Sequence, residues 1–275
     1  MKKFVIRGGI ELPAVGFGTY KATEKEETIV LKDAVRAGYR YFDTASFYEN
    51  EKAVGQVLKE SGIPRKDFIV TSKVWVNQLG YESTKKALQE SLEKLNMHYL
   101  DLYLIHWPCI SGNPKEWKNL NIETWKAMEE LRAAGKVKAI GVSNFLPHHL
   151  ENLRSHCSVV PAVNQIEFHP GYTQWDTVEY CKKNQILVQA WSPLGRGRVL
   201  GDSLVCELAD KYQVTAGQIC LRFAYQNGIM SIPKASSYER MKENQDIFGF
   251  SLSEGDMRRL HEMPITGYSG EHPDD

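Results

Sequence analysis

Short runs rich in β-branched and aromatic residues alternate with longer stretches whose apolar residues recur at helical spacing, along nearly the whole chain. This alternation restricts the fold more than any other feature, because it is the pattern of successive β-α units around a parallel sheet. Segments 4–6 and 10–12, around Gly8-Gly9, read as an N-terminal β-hairpin. Strands are then expected at 14–18, 39–43, 68–74, 100–106, 138–142, 162–167, 187–191 and 229–232. Between them, "EETIVLKDAVRAGYR" sets Ile29, Val30, Ala34, Val35 and Ala37 on one helical face. "YESTKKALQESLEKLNM" does the same with Ala87, Leu88, Ser91, Leu92 and Leu95. Gly38 and Gly135 are placed to stop helices. Strand and helix repeated eight times in about 250 residues is the plan of the α/β class (β/α)8 TIM barrel. Residues 1–275 are therefore expected to form a single barrel domain. An open doubly wound sheet would call for G-x-G-x-x-G after its first strand, and "GFGTYK" has only the first two glycines.

Lys plus Arg equals Asp plus Glu at 34 each, with no long block of one sign, which argues against nucleic acid or an anionic membrane as partner. No apolar run approaches the ~18 residues of a membrane span, so a cytoplasmic location and no membrane partner are expected. The absence of a heptad seam makes a monomer the expected state. Cys109, Cys157, Cys181, Cys206 and Cys220 are odd in number and contain no C-x-x-C pair, which suits mostly buried thiols.

Barrel chemistry sits on the loops at the carboxyl ends of the strands. Those ends read "YFDTASFY", "VTSKVW", "LYLIHWP", "IGVSN" and "VNQIEFHP", which would bring Asp43, Tyr48, Lys73, His106, Ser143, Asn144 and Gln165 to one mouth. Taken singly, Asp43 reads as a helix cap, Lys73 as a snorkelling side chain, His106 as a hydrogen-bonded core imidazole and Tyr48 as packing. Together they are harder to set aside, since a lysine and an aspartate at a barrel mouth must pair or bear a large desolvation cost. The four also fit one reaction. An ammonium beside a phenol is expected to lower the phenol's pKa from ~10 toward the working pH. Asp43 would hold Lys73 charged, and neutral His106 would donate a hydrogen bond to a carbonyl oxygen. No Ser-His-Asp triad accompanies them, and a hydride from a cofactor is the natural nucleophile.

A metal centre is not expected. His148 and His149 are adjacent and should diverge on a helix, although Glu167 and His169 share a strand face by period two. "SIPKASSYERMKEN" follows the eighth strand, where Lys234, Ser236, Ser237 and Arg240 at a helix start would make a phosphate site. Trp191 ends the seventh strand, and its ring suits either core packing or stacking on a nicotinamide.

The stretches "GFGTYK", "GYRYFDTASFYENEKAVG", "TSKVW", "YLDLYLIHWP", "IGVSNF", "VNQIEFHP", "WSPLG" and "IPKASSYERMKEN" resemble the aldo-keto reductase family in order and spacing over essentially the whole chain. The resemblance implies a (β/α)8 barrel that reduces aldehydes and ketones with NADPH, and less often NADH. It implies Tyr48 as general acid, Lys73 and Asp43 as its tuning pair, and His106 as the group that orients the carbonyl. It further implies that Ser143, Asn144 and Gln165 hold the carboxamide and that Trp191 stacks on the nicotinamide. Gly18, Thr19, Tyr20, Asp43, Ser192 and Leu194 would line the cofactor, with Lys234, Ser236, Ser237, Arg240 and Asn244 at its adenosine phosphate end. Tyr20, Phe47, Tyr48, Trp75, His106 and Trp107 would line the substrate pocket.

Two departures from the family pattern stand out. Ala235 replaces a frequent serine and removes one hydroxyl from the 2′-phosphate environment, so NADPH stays favoured while NADH becomes a possible weaker second cofactor. Trp191 stands where many relatives carry tyrosine. Beyond a last helix expected at 252–262, the short tail "MPITGYSGEHPDD" resembles bacterial-type reductases of small carbonyls and α-dicarbonyls. The competing expectation is a non-catalytic NADPH-binding auxiliary or sensor subunit on the same fold.

Overall fold

The computed structural model describes residues 2–22, 28–108 and 116–274. A two-stranded antiparallel hairpin, β1 (Lys3–Val5) and β2 (Glu11–Pro13), leads into an eight-stranded parallel sheet. Its strands are β3 (Phe17–Gly18), β4 (Tyr41–Asp43), β5 (Ile69–Val74), β6 (Leu100–Ile105), β7 (Val137–Ser143), β8 (Val163–Glu167), β9 (Leu187–Trp191) and β10 (Met230–Ile232), hydrogen-bonded in chain order. A parallel bridge between Val15 and Ser231 brings the first strand against the last and closes the sheet into a barrel. All eight expected strands are present, several trimmed at their ends.

Helices α1 (Ile29–Arg36), α2 (Glu51–Glu60), α3 (Tyr81–Leu95), α4 (Trp117–Ala133), α5 (Pro147–His156) and α6 (Trp175–Lys183) follow the first six barrel strands. The seventh is followed by α7 (Ser203–Tyr212) and α8 (Ala216–Gln226), the eighth by α9 (Tyr238–Gln245) and α10 (Glu254–His261). Local chemistry sets many of these ends. Thr215 and Gln218 form a reciprocal capping box at the start of α8. Asp202, Ser237 and Ser253 cap α7, α9 and α10 with side-chain oxygens. Gly38 and Gly135, both at positive φ, end α1 and α4 as expected.

The buried face of α3 is the expected one, but that of α1 is not: Leu31, Ala34 and Val35 are buried, whereas Ile29 is exposed. Ile29 is the first helical residue and faces outward, and Leu31, outside the expected stripe, is buried in the first turn instead. Between the strands and the helices lies the larger core. Within the barrel Tyr41, Leu102, Leu104, Val163 and Met230 form a second core with Ile6 and Leu12, so the hairpin plugs one end. That end is the amino-terminal one, because Arg7 binds Asn184 O and Gln185 Oε1 just before β9. The opposite end remains available for chemistry.

Helix α2 crosses the end of α3 at Gly55 with no room for a side chain. A Cβ there would lie 2.1 Å from Leu95 O and 2.6 Å from Leu95 C. Backbone atoms cannot rotate away, so Gly55→Ala is expected to cost about 3 kcal/mol. Chemical denaturation checks this, and an unchanged midpoint would show that the helices shift freely.

Candidate active site

The barrel's period-two alternation places Tyr41 with Asp43 and Thr71 with Lys73 on shared strand faces. Parallel pairing puts Asp43 opposite Thr71, Lys73 opposite Leu104, and Ser143 opposite Gln165. Lys73 is completely buried, which a lysine tolerates only when paired. Its ammonium is ion-paired with Asp43 Oδ1 and donates to Thr44 O at 2.9 Å and to Tyr48 Oη at 3.3 Å. The other Asp43 oxygen accepts from Gln165 Nε2 at 2.8 Å. Gln165 continues to Gln189, and Gln189 to the Tyr41 hydroxyl, so the charge pair is tied into a polar chain inside the barrel.

The expected lowering of the Tyr48 pKa is not what this site does. Burial pushes the phenol well above its ordinary value, and the Asp43 carboxylate adds to the effect. Asp43 cancels much of the ammonium's field, leaving desolvation in control. Burial likewise lowers the Lys73 pKa, against the opposing pull of Asp43. His106 is held well below the usual imidazole range by burial and then by Lys73, so the ring is neutral, with Nδ1 buried and unpartnered.

Aromatic rings surround these groups. Phe47 stacks on Trp75 at 3.9 Å between centroids, and Trp75 meets His106 edge-on at 4.9 Å. Tyr48 lies 5.5 Å from His106 and 5.0 Å from Tyr20. Trp107 is half-buried and makes no ring contact with this group among the described residues. Asn50 fixes the loop that carries Tyr48. Its amide donates to Thr19 O at 2.8 Å, and its oxygen accepts from the Thr44 hydroxyl at 2.6 Å.

On the neighbouring strands Ser143 donates to Gln165 O at 2.7 Å, and Asn144 donates to His106 O at 3.0 Å. Asn144 Oδ1 accepts from the Trp191 indole at 2.7 Å, which fixes that ring at the rim. Of the donors expected to hold a carboxamide, the Gln165 amide is thus engaged by Asp43. That engagement carried no sequence signal, because it joins strands 122 residues apart. Gly18 ends the first barrel strand, opposite Asp43, and Thr19 follows it with its hydroxyl on Asp43 O at 2.9 Å. Ser192 and Leu194 lie in the turn after β9, Ser192 at positive φ.

Beyond β10, Lys234 donates to Ser236 Oγ at 2.8 Å, Ser237 caps α9, and Arg240 is exposed in its first turn. Asn244 is buried on the same helix, and Ala235 packs into the main core.

Adjacent His148 and His149 do not diverge as expected. Their rings lie 3.9 Å apart, and both Nε2 atoms reach Asp274 Oδ1, at 3.0 and 3.1 Å. His149 Nδ1 accepts the Leu146 N–H at 3.1 Å, which puts the ring proton on Nε2 and makes it a donor to Asp274. A metal-bound imidazole has the opposite polarity, donating from its outer nitrogen. The trio acts as a clasp for the carboxyl tail. Glu167 and His169, 3.4 Å apart and buried, are also taken up by the tail, since Ser269 donates to the Glu167 carboxylate. Four cysteines are free thiols, with Cys181 and Cys220 buried, Cys157 half-buried and Cys206 exposed. Cys109 lies outside the described residues. No helix among the described residues is long and apolar enough to cross a membrane.

A buried lysine-aspartate pair thus lies beside the Tyr48 phenol at the carboxyl mouth of the barrel, with the neutral His106 imidazole edge-on to the same phenol ring. The chain belongs to the aldo/keto reductase family, whose model matches residues 14–264. It is 42% identical to glyoxal reductase of Bacillus subtilis over 98% of this chain and 95% of that protein. A crystal structure of an aldo/keto reductase from Brucella melitensis aligns with TM-score 0.88 at 40% identity, over 94% of this chain and 98% of its own. An aldo-keto reductase crystallised in complex with NADPH aligns with TM-score 0.88 at 33% identity, over 99% and 90%.

Proposed function

We propose that the chain reduces small aldehydes, ketones and α-dicarbonyls to alcohols with NADPH, using Tyr48 as the general acid. The observation that carries this reading is the Tyr48 hydroxyl 3.3 Å from a fully buried ammonium, itself paired with Asp43. Bound NADPH would supply a hydride to the carbonyl carbon. Tyr48, kept protonated by burial, gives its proton to the carbonyl oxygen. The phenolate that then forms lies beside the Lys73 ammonium, so the stabilising charge is in place before it is needed. Neutral His106 donates from Nε2 to the same oxygen and sets its direction.

The residues present fit the cofactor. Trp191 offers a half-exposed ring fixed through its indole nitrogen, and Lys234 and Arg240 bring two exposed cations to the start of a capped helix. The rings of Tyr20, Phe47, Tyr48 and Trp75 clustered around His106 and the likeness to glyoxal reductase support small substrates. The free thiols of Cys157, Cys181, Cys206 and Cys220 suit a reducing compartment such as the cytoplasm.

Loss of NADPH absorbance with methylglyoxal and benzaldehyde tests the reading. Tight NADPH binding without turnover of any carbonyl would favour the nucleotide-sensing alternative. Lys234→Ala or Arg240→Ala is expected to raise the NADPH Michaelis constant about tenfold, the worth of one charge-assisted contact. The NADH value should move far less. Equal effects on both cofactors would place the 2′-phosphate elsewhere.

A further inference from the structure

One polar side chain joins the two loops that carry the aromatic wall, and the proton transfer does not use it. Gln78 ends the 3₁₀ turn Val76–Gln78 that follows β5. Its Oε1 accepts from the Ser46 hydroxyl at 2.8 Å and from the Trp75 N–H at 3.3 Å. The backbone N–H fixes the amide's orientation, because it can face only the oxygen. A single oxygen thus takes one donor from the loop after β4 and one from the loop after β5. The Gln78 N–H donates to Trp75 O at 2.9 Å, which closes the turn back onto the tryptophan.

These two loops present a pair of rings. Phe47, next to Ser46 in the chain, stacks on Trp75 with the planes 16° apart, and both rings stand edge-on to the His106 imidazole. Phe47 is 46% exposed, so burial in the core does not hold it. Ser46 Oγ also reaches Lys73 O at 3.1 Å, which ties the same loop to the strand of the buried ammonium. The stack and the Gln78 oxygen join the same two segments, and loss of the oxygen leaves the rings free to slide.

We infer that Gln78 is a specificity-determining positioning residue: by clamping Ser46 to Trp75 it holds the Phe47–Trp75 wall in place, which favours carbonyl compounds bearing an aromatic ring over those as small as methylglyoxal. The inference rests on the reductase reading above. A substrate whose carbonyl oxygen is held by Tyr48 and His106 lays the rest of itself against the rings around that imidazole. Methylglyoxal touches little of them. A benzene ring meets the stack, and that contact contributes only while the rings keep their places.

The ratio of kcat/KM for benzaldehyde to that for methylglyoxal reads the clamp. Gln78→Met keeps the side chain's length and removes the acceptor, and it is expected to lower the ratio about fivefold, mostly through the benzaldehyde KM. Gln78→Glu keeps an acceptor oxygen and should bring the ratio back to within about twofold of wild type. A ratio unmoved in Gln78→Met, an equal loss for both carbonyls, or a Gln78→Glu protein no better than Gln78→Met would overturn the inference, since a merely structural glutamine affects both substrates alike. Turnover of neither carbonyl by the wild-type protein would instead refute the reductase reading. Calorimetric titration with benzamide in the presence of NADP⁺ still reads the clamp in that case. Binding about fivefold weaker in Gln78→Met upholds it, and equal affinities overturn it.

Discussion

Tyr48→Phe is expected to lower kcat for methylglyoxal about a thousandfold while leaving the NADPH dissociation constant within about twofold. The size is that of a positioned general acid, ~10²–10⁴. Only the hydroxyl is lost, so the rings of Tyr20 and His106 keep their contacts with residue 48. The cofactor-fitting groups, Trp191 and Lys234 to Arg240, are on other elements. Stopped-flow binding and steady-state turnover together check this, and turnover preserved with weakened NADPH binding would move Tyr48 out of the acid role. The same proton gives a pH expectation. Since burial raises the phenol's pKa and lowers that of His106, Tyr48 stays protonated and His106 neutral from about pH 7 upward, so neither group should impose an alkaline fall near neutrality.

What the sequence made legible followed from periodicity. Alternating strands and helices have local signatures, and eight of them leave a barrel as the plausible closure. Once the barrel is granted, Asp43, Lys73 and His106 must converge, because each lies at a carboxyl end of its strand. Less legible was anything set by a balance of opposed effects. The charge beside Tyr48 was readable, but its field depends on how completely Asp43 neutralises it and how deeply the site is buried. Contacts across long stretches of chain were invisible for a different reason. Gln165 to Asp43, Asp274 to the two histidines, and Glu271 to Arg196 each join residues that no local pattern couples. The histidine pair shows how side-chain freedom defeats helical geometry: adjacent Cβ atoms point apart, yet one ring turns back to share a carboxylate.

Asp43→Asn is expected to lower stability by about 3–5 kcal/mol at pH 7 and abolish most turnover, because it leaves the Lys73 ammonium buried without its counter-charge. The new amide would also turn one donor toward another. Lys73 is fully buried and its pKa is already lowered by that burial, with Asp43 opposing the shift. Removing Asp43 takes away the opposition, so the folded-state value falls further below that of the unfolded chain. Between those two values the unfolded chain binds more protons than the folded one, and stability rises with pH. The melting-temperature gap between wild type and Asp43→Asn should therefore be widest at acid pH and narrow toward pH 9, as the buried amine sheds its proton. A gap that widened instead would mean that Lys73 stays charged through another partner. Combining Asp43→Asn with Lys73→Met should recover much of the stability without recovering turnover. That outcome would separate two demands on one ion pair: the fold needs the charges balanced, while the chemistry needs them present.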